Sequence, residues 1–186
     1  MIITTAKKDQ SKDIASLIMK AMNYECCKNF AGSDHTLDDF NRMMATLVER
    51  EDSQYSYHNT MVAIESNKIV GIIVSYDGAM LQGLRKAFID EAKKEFGLDY
   101  SDMEDETQKG ELYIDSLAVA EDYQHLGIAT SLIKETIKKS KRLRIKKTGL
   151  LVDIGNPKAE KLYTTIGFKY VDNKCWGGHN MKHLQY

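Results

Sequence analysis

The stretch YIDSLAVAEDYQHLGIATSLIKETI, residues 113–137, holds the residues best suited to chemistry. A β-rich run stops at a loop with one glycine, Gly127, and a helical pattern starts directly after it. Glycine at such a junction lets the backbone turn without a Cβ in the way, so the amides of about Gln124 to Thr130 would converge at a helix N-terminus. Converging N–H donors and the positive end of the helix dipole suit an anion such as a phosphate. The loop lacks the Gly-Lys-Ser/Thr ending of a Walker loop and the three spaced glycines of a dinucleotide-binding loop. Taken alone, a lone glycine here is explained at least as well by a structural helix cap.

The strand that enters this loop carries ionisable groups. Alternation puts Glu111, Tyr113 and Asp115 on one face and Leu112, Ile114 and Ser116 on the other. A carboxylate inside a strand is costly without a partner or a task, and Asp115 can have either. Other chemistry is poorly supported. Adjacent Cys26 and Cys27, with Cys175, are an odd set lacking metal-ligand spacing and read as reduced thiols, and His179 and His183 near the end suggest no metal site. His125 reads as a solvent-facing loop residue, and His179 as a candidate to line a pocket.

The elements that must position these residues follow from periodicity. IITTA opens with a strand and is followed by helical spacing at Ile14, Leu17, Ile18 and Ala21. Thr36 with Asp39 predicts a capping box before a helix carrying Phe40, Met43, Met44, Leu47 and Val48 on one face. Met61 to Tyr76 reads as a hairpin about Ser66-Asn67, and Leu81, Leu84, Phe88, Ala92 and Phe96 as a helix stopped by Gly97. Next comes an acidic loop, Asp99 to Glu111, that feeds the strand Glu111 to Val119. A helix from Ile128 and an apolar run from Thr148 to Ile154 complete a strand-helix-strand unit, for which a right-handed parallel crossover is the default. Asn156 caps a last helix that begins at Pro157, carries Ala159, Leu162, Tyr163 and Ile166, and stops at Gly167. FKYVD and HNMKHL close the chain as strands.

Composition bounds the reading. The 186 residues, 42% hydrophobic and 28% charged, fit one globular domain, with no repeat or linker to divide residues 1–186. A net charge of −1 provides no global field for nucleic acid. No apolar run reaches the ~20 residues needed to span a bilayer, and the polar start predicts a cytoplasmic protein with no membrane partner. The lysines and arginines from Lys134 to Lys147 read mostly as a solvated helix face.

LAVAEDYQHLGIATSLI resembles the signature of the GNAT family of acetyl-CoA-dependent N-acetyltransferases: its Gln/Arg-x-x-Gly-x-Gly/Ala pattern is met by Gln124, Gly127 and Ala129 after a strand ending in Leu117, Ala118 and Val119. NPKAEKLYTTIGF resembles a second block of that family through Asn156, Ala159, Leu162, Tyr163, Gly167 and Phe168. The resemblance implies an α/β fold with a mixed, twisted sheet of about seven strands flanked by helices. Strands 4 and 5 would be parallel and splayed. Residues 77–110 depart from the family pattern as a helical and acidic insertion.

The resemblance further implies acetyl-CoA as cosubstrate, with its pyrophosphate on the amides of Gln124, His125, Leu126, Gly127, Ile128, Ala129 and Thr130. Its pantetheine would pair with the backbone at Leu117, Ala118 and Val119 and meet Asn156 on the other wall. Tyr163 becomes the candidate acid for the leaving thiolate, and Asp115, with Tyr113 beside it, the candidate base. The connection Tyr24 to His35 would line the acceptor site, with Tyr24 and Glu25 as candidates. The acceptor implied is a primary amine, which would be a small amine, a polyamine, or a protein lysine or N-terminus. The acidic loop would favour a cationic one. The rival is a non-catalytic acyl-CoA sensor with the same seat. Oligomeric state stays open, a homodimer included.

Overall fold

The computed structural model describes residues 1–186. The chain begins with strand β1 (Ile2–Thr5) and helices α1 (Ser11–Met22), α2 (Tyr24–Ala31) and α3 (Leu37–Glu49). The hairpin β2 (Thr60–Glu65) and β3 (Lys68–Asp77) leads into α4 (Leu81–Phe96). The second half runs β4 (Glu111–Val119), α5 (Ile128–Arg142), β5 (Lys147–Asp153), α6 (Pro157–Ile166), β6 (Lys169–Trp176) and β7 (His179–Gln185). The strands form one mixed sheet in the order β1-β2-β3-β4-β5-β7-β6. No helix is long and apolar enough to cross a membrane.

Local chemistry accounts for most boundaries. Thr36 Oγ1 accepts from the Asp39 amide at 3.1 Å while Asp39 accepts from the Thr36 amide at 2.7 Å, which is the capping box read from the sequence. Ser66 and Asn67 both take left-handed φ values, 48° and 61°, matching the twist of a two-residue hairpin turn. Asn156 Oδ1 caps α6 through the Ala159 amide at 3.1 Å.

One expectation fails. The segment from Tyr24 to His35 is not all connection, because α2 forms within it and Asn23 Oδ1 caps it through the Cys26 amide at 2.8 Å. A helix of eight residues that buries only Cys27 and Ala31 is too short to print a hydrophobic stripe.

Alternation along the central strands divides the core between the two faces of the sheet. Ile72 and Val74 of β3 pack with Ile14, Phe40, Leu47 and Phe88 from α1, α3 and α4. Ile73 faces the other way, with Ile114, Leu132, Ile133 and Leu150. Helix α4 therefore shares the first core layer with α1 and α3, through Phe88, Ala92 and Phe96.

Strands β4 and β5 pair in parallel only from Glu111↔Lys147 to Ile114↔Leu150. β4 continues to Val119 and β5 to Asp153 with no ladder between them. β5 is drawn instead onto β7, with which it pairs as far as Asp153↔Met181. The closed end is bolted by a buried cluster. Glu111 Oε2 lies 2.8 Å from His183 Nε2 and accepts from Gln185 at 2.7 Å, and Gly149, lacking a Cβ, lets that carboxylate lie across β5. Desolvation pushes Glu111 up, but the hydrogen bonds from His183, Thr107 and Gln185 outweigh it and hold the carboxyl below its usual range.

Candidate active site

The opening between β4 and β5 is a cleft of about 590 Å³. Leu117, Ala118 and Val119 form one wall and Ala159, Leu162 and Tyr163 of α6 the other, over a floor made by the loop and first turn of α5. Gly127 has φ +78° with open space where a Cβ would stand, so it is the left-handed conformation rather than crowding that calls for glycine. His125 is also left-handed, at φ 64°. The amides of His125 to Thr130 donate to no backbone carbonyl, and the first engaged one is Ser131, to Gly127 O at 3.0 Å.

The sequence-derived seat is altered in detail. The Gln124 amide is used within the turn, on Glu121 O at 3.1 Å, and the Gln124 side chain donates to Val119 O at 3.3 Å. Leu126 is 68% exposed and does not line the cleft. Asn156 spends its side-chain oxygen on the α6 cap and leaves its Nδ2 donors without a protein partner. The free amides, an unpaired β4 edge and an apolar wall are a donor set suited to a pyrophosphate followed by a pantetheine arm.

Asp115 is the first β4 residue beyond the parallel ladder. The β3 register shifts here, with Val74 opposite Ser116 and Ser75 opposite Ile114, so Asp115 is the extra residue of a bulge. Its carboxylate accepts from Ser116 Oγ at 2.8 Å and Gln54 Nε2 at 3.2 Å, and Tyr76 Oη lies 3.5 Å away. Desolvation first, and the nearby Glu106 carboxylate second, push Asp115 up to about 7. Glu106 is held on the buried Arg85, which also donates to Met103 O at 3.0 Å and Glu104 O at 2.9 Å.

Gln54, Tyr76, Arg85 and Glu106 were not singled out from the sequence as site residues. One signal was present: Arg85 sits on the Leu81, Leu84, Phe88, Ala92 stripe of α4, and a charge on a buried stripe requires a buried counter-charge.

Tyr163 lies on the cleft wall with no protein hydrogen bond to its hydroxyl, and burial pushes that phenol up to about 12. Tyr113 is buried on the same face as Asp115, its ring centroid 5.7 Å from that of Tyr76, and burial raises its phenol well above the ordinary value. Tyr24 is exposed and lines neither cavity.

The acidic loop is partly engaged by the fold. Asp105 binds Gln82 at 2.7 Å and Arg85 at 3.2 Å yet stays exposed, Glu106 is buried on Arg85 and Tyr76, and Glu111 belongs to the His183 cluster. Asp99, Asp102 and Glu104 are exposed as well. The basic face of α5 has one exception to solvation: Lys139 turns in to Ser75 O at 2.9 Å, opposite the β4 bulge, and burial lowers it to about 8.

The acetyltransferase (GNAT) family model matches residues 22–168. The chain belongs to the GNAT family. It is an acetyl-CoA-dependent N-acetyltransferase, with the family's seven-stranded mixed sheet and parallel, parting β4 and β5. The crystal structure of an acetyltransferase is similar at 26% identity and TM-score 0.80, over 100% of this chain and 98% of that one. An N-acetyltransferase from Staphylococcus aureus Mu50 shares 23% identity at TM-score 0.83, covering 100% of both chains. A ribosomal-protein-alanine N-acetyltransferase from Brucella melitensis shares the fold at 13% identity and TM-score 0.62, over 100% of this chain and 99% of that one. No curated protein sequence matches this GNAT chain.

Proposed function

We propose that this chain acts as a single domain that transfers the acetyl group of acetyl-CoA to a primary amine by direct attack in a ternary complex, in the cytoplasm. One observation supports the reading: where β4 leaves β5, the free amides at the start of α5 and the unpartnered Tyr163 line one opening, and the bulged Asp115 lies two residues before Leu117 on the strand that walls it. Acetyl-CoA supplies a thioester carbonyl carbon as electrophile. The amides of His125 to Thr130 hold the pyrophosphate, assisted by the dipole of α5, and Leu117 to Val119 guide the pantetheine. Asn156 Nδ2 is free to donate to the pantetheine from the α6 side.

An amine arrives largely protonated, since its pKa is ~10 in water. Asp115, held near 7, accepts the proton directly or through one water. The nitrogen then forms the C–N bond as the C–S bond breaks. Tyr163 supplies a proton to the departing sulfur, and its raised pKa keeps it protonated for that purpose. Tyr113 packs beneath the base and fixes Tyr76.

Release of free CoA thiol with a panel of amines and peptides tests the reading. Turnover with at least one amine, lost in Asp115→Asn and Tyr163→Phe proteins that still bind acetyl-CoA, is expected. Binding without turnover for every amine would refute it.

A further inference from the structure

A second cavity, about 340 Å³, lies between α2, the acidic loop and the turn joining β6 to β7. None of its lining residues lines the β4-β5 cleft. Three aromatic rings meet there: Phe30 lies 5.1 Å from Tyr100 and 6.4 Å from Trp176, centroid to centroid. Two carboxylates, Glu25 and Glu104, share the lining with no lysine or arginine. Glu25 has no ion pair, and Glu104 accepts from the Gly177 amide at 3.2 Å. The Trp176 indole N–H is buried without a partner. His179 also lines the cavity, and its Nδ1 lies 3.2 Å from Asp153 at the end of β5. His179 thus links the cavity to the end of β5, the strand from which β4 parts at the cleft.

Aromatic faces attract a cation through their quadrupoles, and carboxylates add charge where no opposing base competes. The volume suits a small organic group rather than a folded surface. We propose that this cavity holds a cationic end of the acceptor, remote from the amine that reacts, so that the substrate class is a small molecule with an ammonium centre at a distance from a primary amine. This rests on the acetyl-transfer reading for the fate of the second amine. The two cavities share no residue, so a single nitrogen would not occupy both.

The Glu106 and Asp105 carboxylates do not serve this purpose, because both are paired with Arg85 and neither lines the cavity. Glu25 and Glu104 are the recognition groups, with Phe30, Tyr100 and Trp176 as the box.

The chain's single tryptophan is Trp176, so its emission reports this cavity independently of acetyl transfer. Three probes of matched length would be titrated: linear diamines, their mono-N-trimethyl derivatives and the corresponding amino alcohols. The diamines and their trimethyl derivatives, which carry two ammonium centres, should change Trp176 emission saturably, and the amino alcohols, which carry one and cannot fill the box while presenting an amine to the thioester, should show about a tenfold higher KM in CoA release. Glu25→Gln, an exposed substitution that leaves folding intact, should narrow this preference, as should Glu104→Gln. Amino alcohols that bind as well as diamines, or a preference unchanged in both variants, would overturn the proposal. If charged probes occupy the cavity and no amine is ever acetylated, the transfer reading fails instead. If amines are acetylated while Trp176 stays silent to all probes, the cation site fails and the transfer reading stands.

Discussion

Tyr76 donates its hydroxyl proton to Glu106 at 2.8 Å, while Asp115 stands 3.5 Å from the same oxygen. A phenol has one proton to give, and Glu106, fixed as an anion by Arg85, takes it. Asp115 is left near a second negative charge in a desolvated bulge, with Ser116 and Gln54 as its closer donors. The loop between α4 and β4 therefore reaches the candidate base through one tyrosine.

Glu106→Gln should move the acidic limb of the kcat/KM profile below the wild-type midpoint of about 7, because the second-largest upward influence on Asp115 is removed. The variant should also lose stability, since Arg85 keeps only the half-exposed Asp105 as an ionic partner. A pH–rate profile on the folded protein decides it. An unmoved midpoint would show that burial alone sets Asp115.

Asp115→Asn should abolish most turnover yet stabilise the fold at alkaline pH. The carboxyl's folded pKa, about 7, lies above the unfolded 3.8, so the folded state binds more protons between these values and loses stability as pH rises through them. Removing the group should raise Tm at pH 8 by roughly 5 °C and change it little at pH 4. Equal shifts at both pH values would count against the raised pKa.

Tyr163→Phe should lower kcat by roughly ten- to a thousandfold and leave acetyl-CoA affinity near wild type, because only a proton for the leaving sulfur is lost. The hydroxyl has no protein partner whose loss would confuse the result. Stopped turnover with normal binding by calorimetry is the expected outcome, and wild-type kcat would reduce Tyr163 to a packing residue.

Asn156 caps α6, and in the proposed reading its Nδ2 also donates to the pantetheine. Asn156→Asp keeps the oxygen that caps α6 but removes the Nδ2 donor, so the unfolding free energy should hold within about 1 kcal/mol of wild type while acetyl-CoA affinity falls by about tenfold. Asn156→Ala should lose both. Unchanged affinity in the Asp variant would confine Asn156 to capping.

Gly127→Asp should abolish acetyl-CoA binding by setting a carboxylate against the pyrophosphate seat, and Gly127→Ala should weaken it through backbone strain at φ +78°. Calorimetry on the folded variants measures both. Near-normal affinity for the Asp variant would remove the seat from this loop.

The strand-loop-helix from Glu111 to Thr130, the Asn156-Pro157 cap, the Thr36 box and the Ser66-Asn67 turn were legible in the sequence because each depends on a few adjacent residues. Periodicity likewise gave the helices long enough to carry a stripe, and failed at α2, which is short and half exposed. Charge in the acidic loop did not say which way each side chain turns; Arg85 and His183 hold Glu106 and Glu111 inside the fold, while Asp99, Asp102, Glu104 and Asp105 stay exposed. The β4 bulge that singles out Asp115, the Tyr76 to Glu106 link and the meeting of Phe30, Tyr100 and Trp176 join residues far apart in the chain. Contacts of that kind depend on register and packing between elements, which only the folded sheet decides.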